Sequence, residues 1–190
     1  MRTPVLRLTL VLAAALAVAG CSRKRTYHNE NMDFASVRTV AVLPFWNLSK
    51  DPQGADRVRE VFTNSLLATN AVYVVPTGEV ARAVSRVGVA TPVTPAADEI
   101  VRLCQMLKAD AVITGVLKEY GEVRTSSAAS NVVALSLQMQ DGATGKVVWA
   151  GSSSKGGVGW GSRLLGSAGG GPVNDTAEQV VDDLLDQLFK

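Results

Sequence analysis

Apolar positions along the chain change period several times, and each change marks an element. Thr39 to Phe45 reads TVAVLPF, a short β-branched run that predicts a buried strand. Pro44 cannot donate to a ladder, so it marks the strand exit or a bulge. Asn47 to Gly54 is a loop with Asp51-Pro52 as its turn signal. Over 55–69, Val58, Val61, Phe62 and Leu66 fall at helical spacing with Arg57, Arg59 and Glu60 between them, the mark of a helix with one buried face. Asn70 ends it, and Val72-Tyr73-Val74-Val75 is a second strand. Strand, helix and strand in so short a span form a βαβ unit, which pairs its strands in parallel through a right-handed crossover.

The next helix spans 78–87, with Thr77 as its cap, Val80, Val84 and Val87 on one side and Gly88 as its stop. After a Thr/Pro-rich loop, Thr94-Pro95 supplies a capping hydroxyl and a first-turn proline for a helix carrying Ile100, Leu103, Cys104 and Leu107. Ala111 to Tyr120 is a third strand, in which Gly115 marks a bulge or a close packing contact. Residues 121–130 are a polar connection. From Val132 to Gln140, Val133, Leu135, Leu137 and Met139 alternate with Ala134, Ser136, Gln138 and Gln140, a half-solvated antiparallel strand. Asp141 to Gly145 turns a hairpin, and 146–154 returns with Val148 and Trp149. Residues 155–173 are glycine-rich. Asp175 and Glu178 form a capping-box variant for a last helix, 176–189, whose apolar face is Val180, Val181, Leu184, Leu185 and Leu188.

The N-terminus has a different logic. Arg2 and Arg7 precede an apolar run from Leu8 to Ala19, a span well short of the roughly 20 residues that cross a bilayer. Positive charge, a short apolar run and small residues make a secretory signal. Val18-Ala19-Gly20-Cys21 resembles the lipobox of bacterial lipoproteins. The resemblance implies cleavage before Cys21, diacylation of its sulfur and acylation of the new amine. Two or more chains anchor stably where one does not. Ser22, rather than Asp, after the cysteine implies sorting to the outer membrane. The expected organisation is a signal over 1–20, a lipidated tether over 21–36 and one periplasmic domain over 37–190. As a flexible coil, the tether would reach about 20–25 Å.

Removing the signal takes two basic residues and leaves 17 of each sign. A neutral domain has no electrostatic footprint for nucleic acid. Arg23-Lys24-Arg25 lies beside the lipid, where it is either a solvated tether or a headgroup contact. With Cys21 acylated, Cys104 is the remaining cysteine and has no intrachain partner; its apolar helical neighbours predict a buried, inert thiol. The single histidine, His28, falls in the tether, so the domain holds no His-based triad or multi-His zinc site.

Gly157-Val158-Gly159-Trp160-Gly161 invites comparison with a phosphate loop. A dinucleotide fingerprint needs a parallel strand before it and a helix at once after it. Here a hairpin strand precedes and the helix comes later, so nucleotide is not expected. The stretch is a surface loop or a contact loop, the latter through Trp160, Leu164 and Leu165. Asp182, Asp183 and Asp186 read as a solvated helix face, and Glu119 and Glu122 flank Tyr120 without a nucleophile or ligand partner. No cofactor, metal or catalytic residue is expected.

Three motifs in order carry a family resemblance. Val40-Ala41-Val42-Leu43-Pro44-Phe45-Trp46-Asn47, Ala109-Asp110-Ala111-Val112-Ile113-Thr114-Gly115 and Asp141 to Trp149 resemble segments of the CsgG-type lipoproteins, the TolB amino-terminal domain and the LpoB group. The resemblance implies an α/β sandwich, a mixed sheet of about five strands with flanking helices. It implies interaction rather than chemistry. The CsgG-type pore needs hairpins with strands of about 9–11 residues, and the 121–131 connection is too short and polar to hold one. The expected function is a lipid-anchored periplasmic adaptor of a secretion, transport or surface-structure assembly, bound to the membrane by its lipid and to envelope proteins by contact. The alternatives are an outer-membrane activator of a peptidoglycan synthase and a self-assembling ring subunit.

Overall fold

The computed structural model describes residues 26–124, 129–157 and 171–189. The strands are β1 (Tyr27–His28), β2 (Thr39–Val42), β3 (Trp46–Asn47), β4 (Tyr73–Val74), β5 (Ala111–Arg124), β6 (Ala129–Asp141) and β7 (Val147–Gly156). The helices are α1 (Gly54–Ala68), α2 (Thr77–Val87), α3 (Ala97–Leu107) and α4 (Val173–Leu188), with a 3-10 turn at Phe34–Ser36. All strands join one mixed sheet in the order β1-β7-β6-β5-β2-β4, and β3 also pairs with β5. The expected mixed α/β architecture is therefore present. The five anticipated strands are joined by β1 and β3, two residues each.

β2, α1 and β4 form the anticipated βαβ unit, with Thr39 opposite Tyr73 in a parallel pair. β2 is also parallel to β5, with Val40 opposite Ala111. A strand in this position must be apolar on both faces. Val40 and Val42 enter one core, with Val58, Phe62 and Leu66 of α1 and Val180, Val181 and Leu184 of α4. Ala41 and Leu43 enter the other, with Val80 of α2 and Ile100, Leu103 and Cys104 of α3. β5, β6 and β7 form an antiparallel meander. Along β6, Leu135, Leu137 and Met139 are buried while Ser136, Gln138 and Gln140 are not, as the alternation predicts.

Several expectations need correction. The polar stretch 121–130 is largely strand: β5 runs to Arg124 and β6 starts at Ala129. Past Tyr120 and Val133, which still belong to the core, these hairpin arms are held by the ladder from Gly121↔Val132 to Arg124↔Ala129. They bury too little to show an apolar period. Residues 26–36 are not a free coil, because β1 pairs with β7. The side chains of Thr77, Thr94 and Asp175 do not cap: the cap positions are Pro76, Ala96 and Pro172, with no side-chain cap bond. At α3 the Glu99 carboxylate instead accepts from the N–H groups of Ala96 and Ala90, at 2.8 and 3.1 Å. Asp183 is half-buried, and its Oδ2 accepts from Ser153 Oγ at 2.7 Å. It is not part of a solvated face.

Gly115 is a close-packing site: a Cβ there would lie 2.6 Å from Cδ1 of Phe45. The bulge sits one turn of the pleat further on, between Leu117 and Glu119. Gly115→Ala is expected to cost about 1–3 kcal/mol through overpacking. Each kcal/mol lowers Tm by about 2–4 °C in a chain of this size. Thermal unfolding measures it, and Phe45→Leu in the same chain should recover part of the loss.

Cys104 is 3% exposed. Burial, then the charges of Asp141 and Asp110, push its thiol up to about 12. A raised folded value contributes stability that is intact below the unfolded value near 9 and lost as pH rises toward 12. Denaturant midpoints should fall across that window, and Cys104→Ala should flatten the fall. At pH 8 a maleimide should modify the native thiol only at the rate of global unfolding.

Candidate interaction surface

The apolar residues of the three motifs fill the cores, and the polar Asn47, Asp110 and Asp141 are backbone clips. Asn47 Oδ1 accepts from the N–H and hydroxyl of Ser49, at 3.0 and 2.7 Å. Its Nδ2 donates to the carbonyls of Asp51 and Pro52, at 2.7 and 3.2 Å. This one side chain shapes the loop between β3 and α1. Asp110 Oδ2 accepts from the N–H groups of Arg38 and Thr39, both at 2.8 Å, and so joins the entries of β2 and β5. Asp141 Oδ2 accepts from Thr144 N–H at 2.9 Å and from its hydroxyl at 2.6 Å, closing the β6–β7 turn. Gly142 packs where a Cβ would meet Cys104 at 2.9 Å. The hollow of about 330 Å³ between Cys104, Asp110 and Asp141 is therefore lined by carboxylates already committed to backbone N–H groups. Among the described residues, no group of three or more His, Cys, Asp or Glu is placed to hold a metal.

A second concavity is of another kind. β3 ends at Asn47, and Leu48 N–H gives a last bond of 2.8 Å to Leu117 O. Beyond it, among the described residues, no strand pairs with β5 on that side. The open edge from Lys118 to Val123 faces Leu48, Ser49, Lys50 and Asp51 across a cleft of about 660 Å³, with Val132 at its wall. Leu48 is 55% exposed and Val123 43%, and Trp46, at the start of β3, is 45% exposed. An open strand edge beside apolar side chains is the geometry that strand addition uses: backbone bonds give affinity and neighbouring side chains select. Lys118, Glu119, Glu122 and Arg124 are also exposed, and Glu122 pairs with Arg124 at 2.9 Å. Charges on an edge discourage unselective pairing.

The anticipated contact residues Trp160, Leu164 and Leu165 lie outside the described residues, as do Cys21 and the cleavage motif Val18, Ala19 and Gly20. The described ends of the glycine-rich stretch meet at one residue. Gly157 N–H donates to Asn131 O, and Asn131 Nδ2 donates to Gly171 O, both at 2.9 Å. Asn131 stands on β6 next to Val132 of the cleft. Trp46, known from the sequence only as part of a motif, and Leu48 are contact candidates that sequence reasoning did not name; both follow Pro44 at a strand exit. The available signal was two large apolar residues placed where the core run had already ended.

No helix among the described residues is long and apolar enough to cross a membrane. No curated protein matches the sequence. Among solved structures, the lipoprotein GNA1162 from Neisseria meningitidis is similar, at 25% identity over 80% of this chain and 98% of that one, with a TM-score of 0.52. The PelC dodecamer from Paraburkholderia phytofirmans shares the fold at 16% identity, over 86% of this chain and 96% of that one, with a TM-score of 0.56. The LpoB C-terminal domain from Escherichia coli does so at 15% identity, over 66% and 88%, with a TM-score of 0.50. The match to a family description runs over residues 29–190, through all three motifs and both cores, and the chain belongs to the GNA1162-like lipoprotein family.

Proposed function

We propose that this protein is an accessory lipoprotein of a cell-envelope assembly for secretion, transport or surface-structure export. Acyl chains on Cys21 hold it to the outer membrane, and its domain faces the periplasm and works by protein contact. Membership of a lipoprotein family supports the anchor. The observation that carries the contact reading is the cleft beside the open β5 edge, with Trp46, Leu48 and Val123 exposed around it. Tethering to a surface raises the local concentration of a membrane partner without any new contact. A modest interface is then sufficient.

A ring of identical subunits is the second reading, favoured by the shared fold with PelC, which forms a dodecamer. Head-to-tail contacts need two different patches on one subunit. The exposed apolar residues include two separate groups, Trp46 and Leu48 by the cleft, and Leu67 and Tyr73 around β4.

A photo-crosslinking residue at Leu48, in intact envelopes, tests both readings. A transport or secretion component, captured by the native chain and lost with Trp46→Ala/Val123→Ser, is the expected product. Crosslinking of the chain to itself alone puts the ring ahead. Capture of a peptidoglycan synthase replaces both readings with the activator role that the LpoB resemblance implies.

A further inference from the structure

The segment before the domain is built into it. β1 pairs with the outer edge of β7, Tyr27 opposite Ala150 and His28 opposite Trp149, and Asn29 N–H donates to Val148 O at 2.8 Å. Thr26 Oγ1 donates to Gln187 Oε1 at 2.6 Å. The carbonyl of Gln187 receives Trp149 Nε1 at 3.3 Å and lies 3.2 Å from His28 Nε2, which is the donor of that pair when protonated. The His28 ring stands edge-on to Phe34 and to Trp149, at 5.6 and 6.5 Å. Met32 and Phe34 pack on the core and Val37 belongs to it. Backbone pairing, side-chain hydrogen bonds and apolar burial therefore hold the same dozen residues independently.

This docking changes the length of the leash. Five peptide steps separate Cys21 from Thr26. Fully extended they span about 16–18 Å, against about 50 Å if the whole of 21–36 were free. A domain of this size is about 40 Å across. A leash shorter than half that width does not let the body turn over. The tether leaves from the β1 side of the sheet, and β4 lies at the opposite edge. Five strand spacings make that separation about 24 Å. Half-exposed Tyr27 sits on β1 itself. An apolar ring with a polar tip suits the headgroup zone.

We infer that the docked segment holds the domain flush against the lipid surface that carries its acyl chains, with the β1–β7 edge toward the headgroups and the β4 edge away from them. The inference rests on the lipid anchor at Cys21 proposed above. It narrows that reading, because a partner must then come to the membrane rather than be reached from it.

The test uses the mature lipoprotein in vesicles of phosphatidylethanolamine and phosphatidylglycerol with a headgroup-borne quencher. Single fluorophores are placed at Ser152→Cys on β7 and Tyr73→Cys on β4, both exposed positions, while buried Cys104 stays unlabelled. The expected result is quenching at 152 and none at 73. In the same protein in micelles, the Asn29 amide should exchange at least about tenfold more slowly than in an unstructured peptide. Asn29→Pro/Phe34→Ala should release the segment, speed exchange through Tyr27 and His28, and abolish the difference between the two labels. Equal quenching at both labels in the native chain overturns the fixed orientation. Fast exchange at Asn29 overturns the docking. Failure to associate with vesicles, with exchange at Asn29 still slow, overturns the anchor and the flush placement with it, and is told apart by that slow exchange.

Discussion

β2 has a strand on each side and a helical layer on each face, and the remaining elements are arranged to satisfy it. Four consecutive residues, Val40 to Leu43, are almost wholly out of solvent. Their side chains alternate, so each layer receives two of them. The layer of α1 and α4 and the layer of α2 and α3 are thus both needed to complete one short strand. Parallel pairing to β4 and β5 requires crossovers, and α1 and the α2–α3 pair are those crossovers. The antiparallel side of the sheet is under no such demand. β6 and β7 need cover on one face only, which α4 supplies, and their other face carries Ser136, Gln138, Ser152 and Ser154.

That difference explains what could be read in the sequence. Elements buried by their own side chains announce themselves by period: β2, α1, α2, α3, the body of β5, β6, β7 and α4 all lie where the spacing puts them. Elements defined by another strand's edge do not. β1 and β3 are two residues long, and their pairing is decided by β7 and β5. The arms of the β5–β6 hairpin are polar because they stand clear of the core, and polar residues without a period look like a loop. Helix starts were misplaced for a related reason. Thr77, Thr94 and Asp175 are good capping residues by type, but prolines at 76 and 172 already set the entry backbone, and Glu99 reaches back from within α3.

The motifs were legible as patterns before their purpose was. Asn47, Asp110, Asp141 and Thr144 are polar residues at strand ends, positions where ligands often bind. In this chain their oxygens and amides are spent on neighbouring backbone. What holds across the three motifs is therefore the joining of elements. The surfaces that remain open for a partner, the cleft rim at Trp46 and Leu48, carry no pattern, since an exposed apolar side chain looks like a core residue until the core is drawn.

Asn131 has a consequence beyond its two hydrogen bonds. By holding Gly157 with its carbonyl and Gly171 with its amide, it fixes where the intervening chain leaves and where it returns. Doubling the length of a closed loop costs only about 0.6 kcal/mol. Neither β7 nor α4 is obliged to notice what is strung between those two glycines. The segment is a cassette: its length can change at little cost to the clasp or to the sheet behind it.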